Sequence, residues 1–222
     1  MTNSRFAQLF GGPPRVPETE ITQREMDIAA SIQSVAEEAM LRMTNHVYNE
    51  TNQKHLCLAG GVALNCVANG RILREGPFDD IWIQPAAGDA GGALGAALCV
   101  WHRYLGNERK NDTGYDIQQG SYLGPSFSAL TVEKFLSTNN YVYHQIDSEK
   151  RARTIAELIS EGKIIGHMSG RMEFGPRALG ARSIIGDARR QDTQTVMNLK
   201  IKYRESFRPF APTVLEEKAS EY

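Results

Sequence analysis

Residues 55–65, HLCLAGGVALN, and residues 81–95, IWIQPAAGDAGGALG, follow one common plan. Each begins with a short apolar run, passes through a glycine-containing turn and enters a segment with helical periodicity. Two strand–glycine–helix units in succession predict an α/β layer with a largely parallel sheet. The predicted strands are 55–59 and 81–83, and the predicted helices are 62–75 and 93–105.

A long amphipathic helix is predicted upstream, from about Thr22 to Asn49. Thr22 followed by Glu25 is a capping-box pattern, and apolar residues recur behind it at intervals of three and four. Before this helix, residues 1–17 contain Gly11-Gly12-Pro13-Pro14, which interrupts regular structure. We expect an irregular lead-in there.

Downstream of residue 106 the chain becomes polar, which indicates a linker over residues 108–125. Periodicity then resumes, and it predicts a second α/β segment. Its predicted parts are helices near 130–136 and 148–161, strands near 141–143 and 164–166, and a structured loop over 170–186.

Composition excludes several classes of function. The chain has 222 residues, 41% hydrophobic and 23% charged, with a formal net charge of −1, so its overall charge does not favour nucleic acid as a partner. No apolar stretch is long enough to span a membrane. The three cysteines form no C-x-x-C pair, which favours a reduced cytoplasmic protein in which Cys57 and Cys99 are small core residues.

The first glycine turn is a candidate nucleotide site. Gly60 and Gly61 follow a predicted strand and open a helix, so the backbone can approach a ligand and free N–H groups face an anion. Asn65, one turn into the predicted helix, is placed to hydrogen-bond a ribose or a phosphate. The alternative is a tight strand-to-helix turn without a ligand.

The second glycine turn, with Gly91 and Gly92, adds a carboxylate. Asp89 lies at the end of a predicted strand, where it could hold a cation that neutralises phosphates. Alternatively, Asp89 only caps the following helix. Taken together, two such turns on neighbouring strands predict a cleft lined by backbone donors, as in nucleotide sites.

Positive charge is concentrated between residues 171 and 208, where nine basic residues face four acidic ones. Arg177 and Arg182 lie five apart in a glycine-framed loop, and Lys202, Arg204 and Arg208 alternate with aromatic residues. Arginine forks match phosphate or carboxylate oxygens, so we predict a pocket for a small anion. A solvated basic face and an RNA-binding patch are the alternatives.

These motifs resemble those of the carbamoyltransferases of nodulation and antibiotic biosynthesis. The similar segments occur in consistent order across about residues 20–215. They are residues 56–65, residues 85–95, residues 174–184 (FGPRALGARSI) and residues 207–212 (FRPFAP).

The resemblance implies half of an actin-like nucleotide domain, of the sugar kinase and Hsp70 type, in residues 1–107. After the linker at 108–125, it implies an incomplete YrdC-like domain in residues 126–222. Family members consume ATP and carbamoyl phosphate, form carbamoyl-adenylate and transfer the carbamoyl group to a hydroxyl of a sugar-containing or related acceptor. They use a divalent metal of the iron type, held by an H-x-x-x-H pair and an aspartate.

By position in these motifs, the resemblance assigns three groups of residues. Asp89 is the metal ligand. The nucleotide-contacting residues are Gly60, Gly61, Asn65, Gly91 and Gly92. The residues that act on the carbamoyl-phosphate anion are Arg177, Arg182, Lys202, Arg204 and Arg208.

One departure from the family pattern is that this chain has no H-x-x-x-H pair. We therefore expect a fragment of a longer enzyme that shows no transfer by itself and forms a homodimer through an uncovered apolar surface. The alternative function is a non-catalytic, actin-like nucleotide-binding module. Such a module would not need the arginine-rich loop.

Overall fold

The structure is a computed structural model that describes residues 3–109 and 116–221. The protein is mixed α/β and divides into two compact units. The first unit contains Glu20–Ser126, the residues before 16 and the segment Arg171–Ala181; the second contains Val16–Thr19, Phe127–Gly170 and the residues from Arg182 onward. The predicted domain limits stay a prediction, and residues 110–115 of the predicted linker lie outside the described residues.

The first unit contains four α-helices and two strands among its described residues. They are α1 (Ser4–Leu9), α2 (Gln23–Thr51), β1 (His55–Leu58), α3 (Cys66–Glu75), β2 (Asp80–Ile83) and α4 (Asp89–Cys99), which continues as a π-helical turn over Val100–Tyr104.

The start of α2 carries the predicted capping box. The backbone N–H of Thr22 donates to the Glu25 carboxylate at 3.0 Å, and the Thr22 hydroxyl donates to the same oxygen at 2.5 Å. These bonds satisfy polar groups that the first turn of a helix otherwise leaves unpaired. The bond from the Thr22 hydroxyl, followed by the bonds from the Arg24 guanidinium, lowers the pKa of Glu25 to about 2.

β1 and β2 pair in parallel, as the two strand–glycine–helix units predict. The core lies on one face of this pair, where Leu56, Ile72 and Phe78 are buried and the ring of Tyr48 meets Phe78 edge to face at 5.5 Å. The opposite face is open. Cys57 is exposed opposite Trp82, which is also exposed, so the prediction that Cys57 is a core residue is wrong.

The predicted helix 62–75 is two elements. A 3₁₀ turn covers Gly61–Leu64, and α3 begins only after Asn65, whose side chain accepts from the Ala68 N–H at 3.2 Å. Asparagine is a preferred N-cap because its short side chain reaches that donor. Asn65 therefore caps the helix and does not lie one turn inside it.

Three further expectations for this unit are corrected. The lead-in is not wholly irregular, because Asn3 caps the short helix α1 by accepting from the Phe6 N–H at 3.1 Å. α4 begins at Asp89 with Gly88 as its N-cap, earlier than predicted, and Asp89 is therefore its first residue. Cys99 is exposed at the end of α4 and is not a core residue.

The second unit contains three α-helices and two strands among its described residues. They are α5 (Ala129–Thr138), α6 (Ser148–Ser160), β3 (Ile165–Met168), β4 (Arg182–Ile185) and α7 (Thr193–Val196), which continues as a π-helical turn over Met197–Lys202.

The strands of the second unit differ in part from those predicted. β3 and β4 pair antiparallel, with Ile165 opposite Ile185, whereas β1 and β2 of the first unit are parallel. β4 also lies within the stretch 170–186 that was predicted to be a loop. Residues 141–143, predicted to be a strand, are exposed and pair with no strand in the described chain.

Among the described residues, no helix is both long enough and apolar enough to cross a membrane.

Candidate functional site

The two glycine turns lie side by side at the carboxyl ends of β1 and β2. The Gly60 N–H donates to the carbonyl of Ala87 at 2.7 Å, which joins one turn directly to the other. Ala86 and Ala87 are buried beneath this contact. The predicted juxtaposition of the turns is therefore present in the first unit.

The segment Arg171–Ala181 returns to this unit from far along the chain. Its main chain forms a short ladder with residues 121–125: Gly124 N–H to Met172 carbonyl (2.9 Å), Met172 N–H to Pro125 carbonyl (3.1 Å) and Phe174 N–H to Ser121 carbonyl (2.7 Å). Ser121 is fully buried. The ladder holds the start of the FGPRALG motif, residues 174–180, against the first unit.

Gly175 brings this motif onto the second glycine turn. Its φ of +118° is one that residues with a Cβ rarely adopt, and a Cβ there would lie 3.0 Å from the Cβ of Ala86. Glycine is therefore required for both its conformation and its close approach. The loop that carries Arg177 thus packs against the turn that leads into α4, and the Arg177 side chain is exposed.

The far end of the loop is closed by two side chains. Glu173, only 4% exposed, accepts from the N–H groups of Leu179 and Ala181, both at 2.8 Å. The Tyr122 hydroxyl donates to the Leu179 carbonyl at 2.6 Å. The peptide groups on both sides of Leu179 are therefore held, two residues beyond Arg177.

The glycines of the two turns differ in their surroundings. A Cβ at Gly60, Gly61 or Gly92 would meet no atom within 4 Å, whereas a Cβ at Gly91 would lie 2.1 Å from the carbonyl oxygen of Ala86. Close packing against Ala86 therefore explains why residue 91 is a glycine. Packing does not explain why residue 61 is a glycine, and the open space there would admit a ligand.

Asn65 is engaged in a network that ties α3 to α2. Besides capping α3, its side chain exchanges two hydrogen bonds with Gln33, at 3.0 and 3.2 Å. Gln33 also donates to Glu37, which pairs with Arg71 at 2.9 Å. The hydrogen bond from Gln33 and the contact with Arg71 lower the pKa of Glu37. This network gives Asn65 a structural role, and its predicted contact with a nucleotide stays a prediction.

Asp89 does not provide a metal site with the residues described. It is exposed at the first position of α4, and no group of three or more His, Cys, Asp or Glu side chains in residues 3–109 and 116–221 is arranged to hold a metal ion. Sites for transition metals draw on several protein ligands. The residues that the structure describes therefore do not by themselves supply the donors for the implied iron, and the role of Asp89 as one ligand in the full-length enzyme stays a prediction.

The basic residues between 171 and 208, which the sequence predicts to form one pocket for an anion, are divided between the two units. Arg177 belongs to the first unit, whereas Arg182 begins β4 in the second. Lys202, Arg204 and Arg208 follow α7 within seven residues of sequence, and Lys202 and Arg208 are exposed.

Asn198, fully buried, organises that last segment. Its amide donates to the carbonyls of Ser206 (3.0 Å) and Arg208 (2.7 Å) and its oxygen accepts from Arg204 Nε at 2.6 Å. The Arg204 guanidinium also lies over the ring of Phe210, 4.8 Å from its centre. Arg204 is therefore bound within the segment, which leaves less of its guanidinium for an anion.

Sequence reasoning missed Glu173 and Asn198. Each had a signal, because a polar residue stands alone between apolar neighbours: Met172-Glu173-Phe174 and Met197-Asn198-Leu199. A polar side chain that is buried is nearly always hydrogen-bonded, because burying it without a partner costs free energy.

Two family models match separate parts of the chain. Residues 1–98 match the family model described as carbamoyltransferase N-terminus, and residues 156–222 match the model described as carbamoyltransferase C-terminus.

Three relatives illustrate the similarity. A Synechocystis protein named only as uncharacterized is 60% identical over the whole of this chain, which covers 36% of that protein. Nodulation protein NolO of Bradyrhizobium diazoefficiens is 43% identical over 90% of this chain and 36% of its own length. Nodulation protein U of Sinorhizobium fredii is 35% identical over 75% of this chain and 27% of its own length. The chain thus spans about a third of the length of these relatives.

Proposed function

The chain belongs to the carbamoyltransferase family, and from this premise we propose that it contributes the nucleotide turns and one anion-binding arginine to an ATP-dependent carbamoyl transfer. Carbamoyl phosphate is the donor, carbamoyl-adenylate is the activated intermediate and a hydroxyl of a sugar-containing or related molecule is the acceptor.

One observation supports this proposal most directly. The loop that carries Arg177 packs through Gly175 onto Ala86, in the turn whose neighbour Ala87 accepts from the Gly60 N–H. An arginine loop and two glycine turns therefore share one small region of the first unit. A nucleotide-binding module without transfer activity has no need of that loop, so the observation favours transfer.

The chemistry needs two anions held near one another. Water first hydrolyses carbamoyl phosphate to carbamate and phosphate. A carbamate oxygen then forms a bond to the α-phosphorus of ATP while pyrophosphate leaves, which gives carbamoyl-adenylate, a mixed anhydride of carbamate and AMP. The acceptor oxygen then forms a bond to the carbamoyl carbon while AMP leaves and the hydroxyl proton is lost. In this scheme the backbone at Gly60 and Gly61 approaches the nucleotide phosphates, and Arg177 neutralises the carbamoyl-phosphate anion.

The test is the binding of the two substrates, measured separately by titration calorimetry. Replacing Arg177 with Ala removes a charge-assisted contact worth about 1.5–3 kcal/mol, so the Kd for carbamoyl phosphate should rise about 10- to 150-fold. The matched control is Arg153→Ala on α6, an exposed arginine that pairs with Glu157. It should bind carbamoyl phosphate as the unsubstituted protein does.

Nucleotide binding is tested at Gly61. Because a Cβ there meets nothing, Gly61→Val should leave the fold intact and weaken ATP binding by obstructing the ligand. The control is Gly95→Ala on α4, where a Cβ would also meet no atom within 4 Å. Unchanged ATP affinity in Gly61→Val, or unchanged carbamoyl-phosphate affinity in Arg177→Ala, would remove that residue from the site.

A further inference from the structure

Glu173 is a buried carboxylate that none of the assigned roles explains. Its side chain is 4% exposed, and one of its oxygens accepts two backbone N–H groups at 2.8 Å. Burying a carboxylate carries a large desolvation cost that only strong compensating bonds offset. Both of these donors lie in the loop that carries Arg177.

The loop is therefore fixed at two points. Before Arg177, Gly175 lies against Ala86 in a backbone conformation that favours glycine. After Arg177, the N–H of Leu179 is held by Glu173 and its carbonyl by the Tyr122 hydroxyl. Gly180, with φ of +108°, makes the reversal that returns the Ala181 N–H to the same carboxylate.

These contacts hold the main chain on both sides of Arg177. We propose that Glu173 is a positioning residue that holds the 174–181 loop so that Arg177 meets the anionic substrate. This inference rests on the proposed function and deepens it, since it concerns the same carbamoyl-phosphate site.

The test is a double-mutant cycle on carbamoyl-phosphate binding, using Glu173→Ala, Arg177→Ala and the double variant. Glu173→Ala removes both bonds and should raise the Kd about tenfold, because a loose loop must be ordered on binding. In the Arg177→Ala background, the same change should have no further effect, since Glu173 acts through that arginine. ATP affinity should stay unchanged throughout, which shows that the nucleotide turns remain folded.

Glu173→Gln provides the conservative comparison. Its amide oxygen can still accept both N–H groups, but a neutral acceptor forms bonds roughly half as strong. We expect a Kd for carbamoyl phosphate about threefold above that of the unsubstituted protein, and again no effect once Arg177 is replaced. If Glu173→Ala also loses ATP binding, the cycle is carried out with this variant instead. Glu149→Gln, at the exposed start of α6, is the control.

The outcomes separate the two proposals. Independent, additive losses from Glu173 and Arg177 would overturn the positioning role alone, as would Glu173 variants that bind carbamoyl phosphate normally. No binding of carbamoyl phosphate by the unsubstituted protein would overturn the proposed function and this inference with it. Hydrogen exchange at the Leu179 and Ala181 amides should be faster in both Glu173 variants.

Discussion

Asp187 in the second unit is held by its near neighbour Arg189. The two side chains share hydrogen bonds of 2.9 and 2.8 Å, and the Arg189 backbone N–H donates to the same carboxylate at 2.9 Å. The bonds from the guanidinium, followed by the backbone bond, lower the pKa of Asp187 from 3.8 to about 2.

The depressed pKa predicts a specific dependence of stability on acid. A carboxyl with a lower pKa in the folded state stabilises the fold above its unfolded pKa, and this contribution is lost as the pH falls through the folded value. We therefore expect Asp187→Asn to flatten the decline in unfolding free energy between about pH 4 and pH 2, measured by urea denaturation. Asp147→Asn, at an exposed position, serves as the comparison; equal slopes for Asp187→Asn and the unsubstituted protein would contradict the prediction.

Asn198 illustrates how much one buried amide holds. It supplies two donors and one acceptor to the segment that contains Arg204 and Arg208. Each buried polar group left without a partner costs about 1–3 kcal/mol, so Asn198→Ala should lower the stability of this unit by about 3 kcal/mol.

The expected loss is measured by urea denaturation, and amide exchange should show the opening of residues 204–208. The comparison is Gln194→Ala. That side chain also donates to the Phe207 and Arg208 carbonyls, both at 3.1 Å, but it is exposed and water can replace it. Equal losses of unfolding free energy for the two variants would show that burial does not make the hydrogen bonds of Asn198 more stabilising than those of the exposed Gln194.

At the scale of elements, the core of the first unit depends on α3. Ile72 is fully buried between Leu56 and Phe78. Ile72→Ala leaves a cavity there and should lower the unfolding free energy by about 2–5 kcal/mol. The adjacent Leu73 is 47% exposed, so Leu73→Ala should cost much less in the same denaturation experiment. Comparable losses would show that α3 does not pack as described.

The elements that sequence predicted correctly are those with strong local signals. Thr22 and Glu25 mark the start of α2, and the apolar runs 55–59 and 81–83 mark β1 and β2. β4 was missed because Arg182-Ser183-Ile184-Ile185 is short and follows a glycine-rich loop. Its strand character comes from pairing with β3, which no local pattern displays.

The candidate site could be predicted only in part, for a similar reason. The glycines and arginines of the motifs are visible in the sequence. The bond from Gly60 to Ala87 and the contact of Gly175 with Ala86 depend on tertiary packing across long stretches of chain. The reciprocal bonds of Asn65 with Gln33, which lies on α2, are likewise invisible in the sequence, and the predicted contact of Asn65 with a nucleotide stays a prediction.

At the scale of the molecule, much apolar surface of the first unit is uncovered. No residue of α4 is buried, and its continuation exposes Trp101 and Tyr104, 54% and 85% exposed. Trp82 on β2 is 50% exposed. Exposed apolar surface of this kind marks an interaction site or drives association.

We therefore expect the 222-residue chain to form a homodimer, with a concentration-dependent mass in sedimentation equilibrium. Trp101→Glu should shift the protein towards monomer, because a carboxylate is costly to bury in an apolar contact. Leu130→Glu on α5, where the leucine is 76% exposed, is the matched control and should leave the mass unchanged. A monomeric mass at every concentration would contradict the prediction.

The return of residues 171–181 to the first unit also bears on how the chain folds as it leaves the ribosome. Residues 20–126 emerge before residues 171–181, so the turn at Ala86 cannot contact Gly175 until residues 127–170 have also been synthesised. Contacts so distant in sequence form slowly. The arginine loop is thus the last part of this unit to be added, and a nascent chain stopped at residue 170 would present both glycine turns without it.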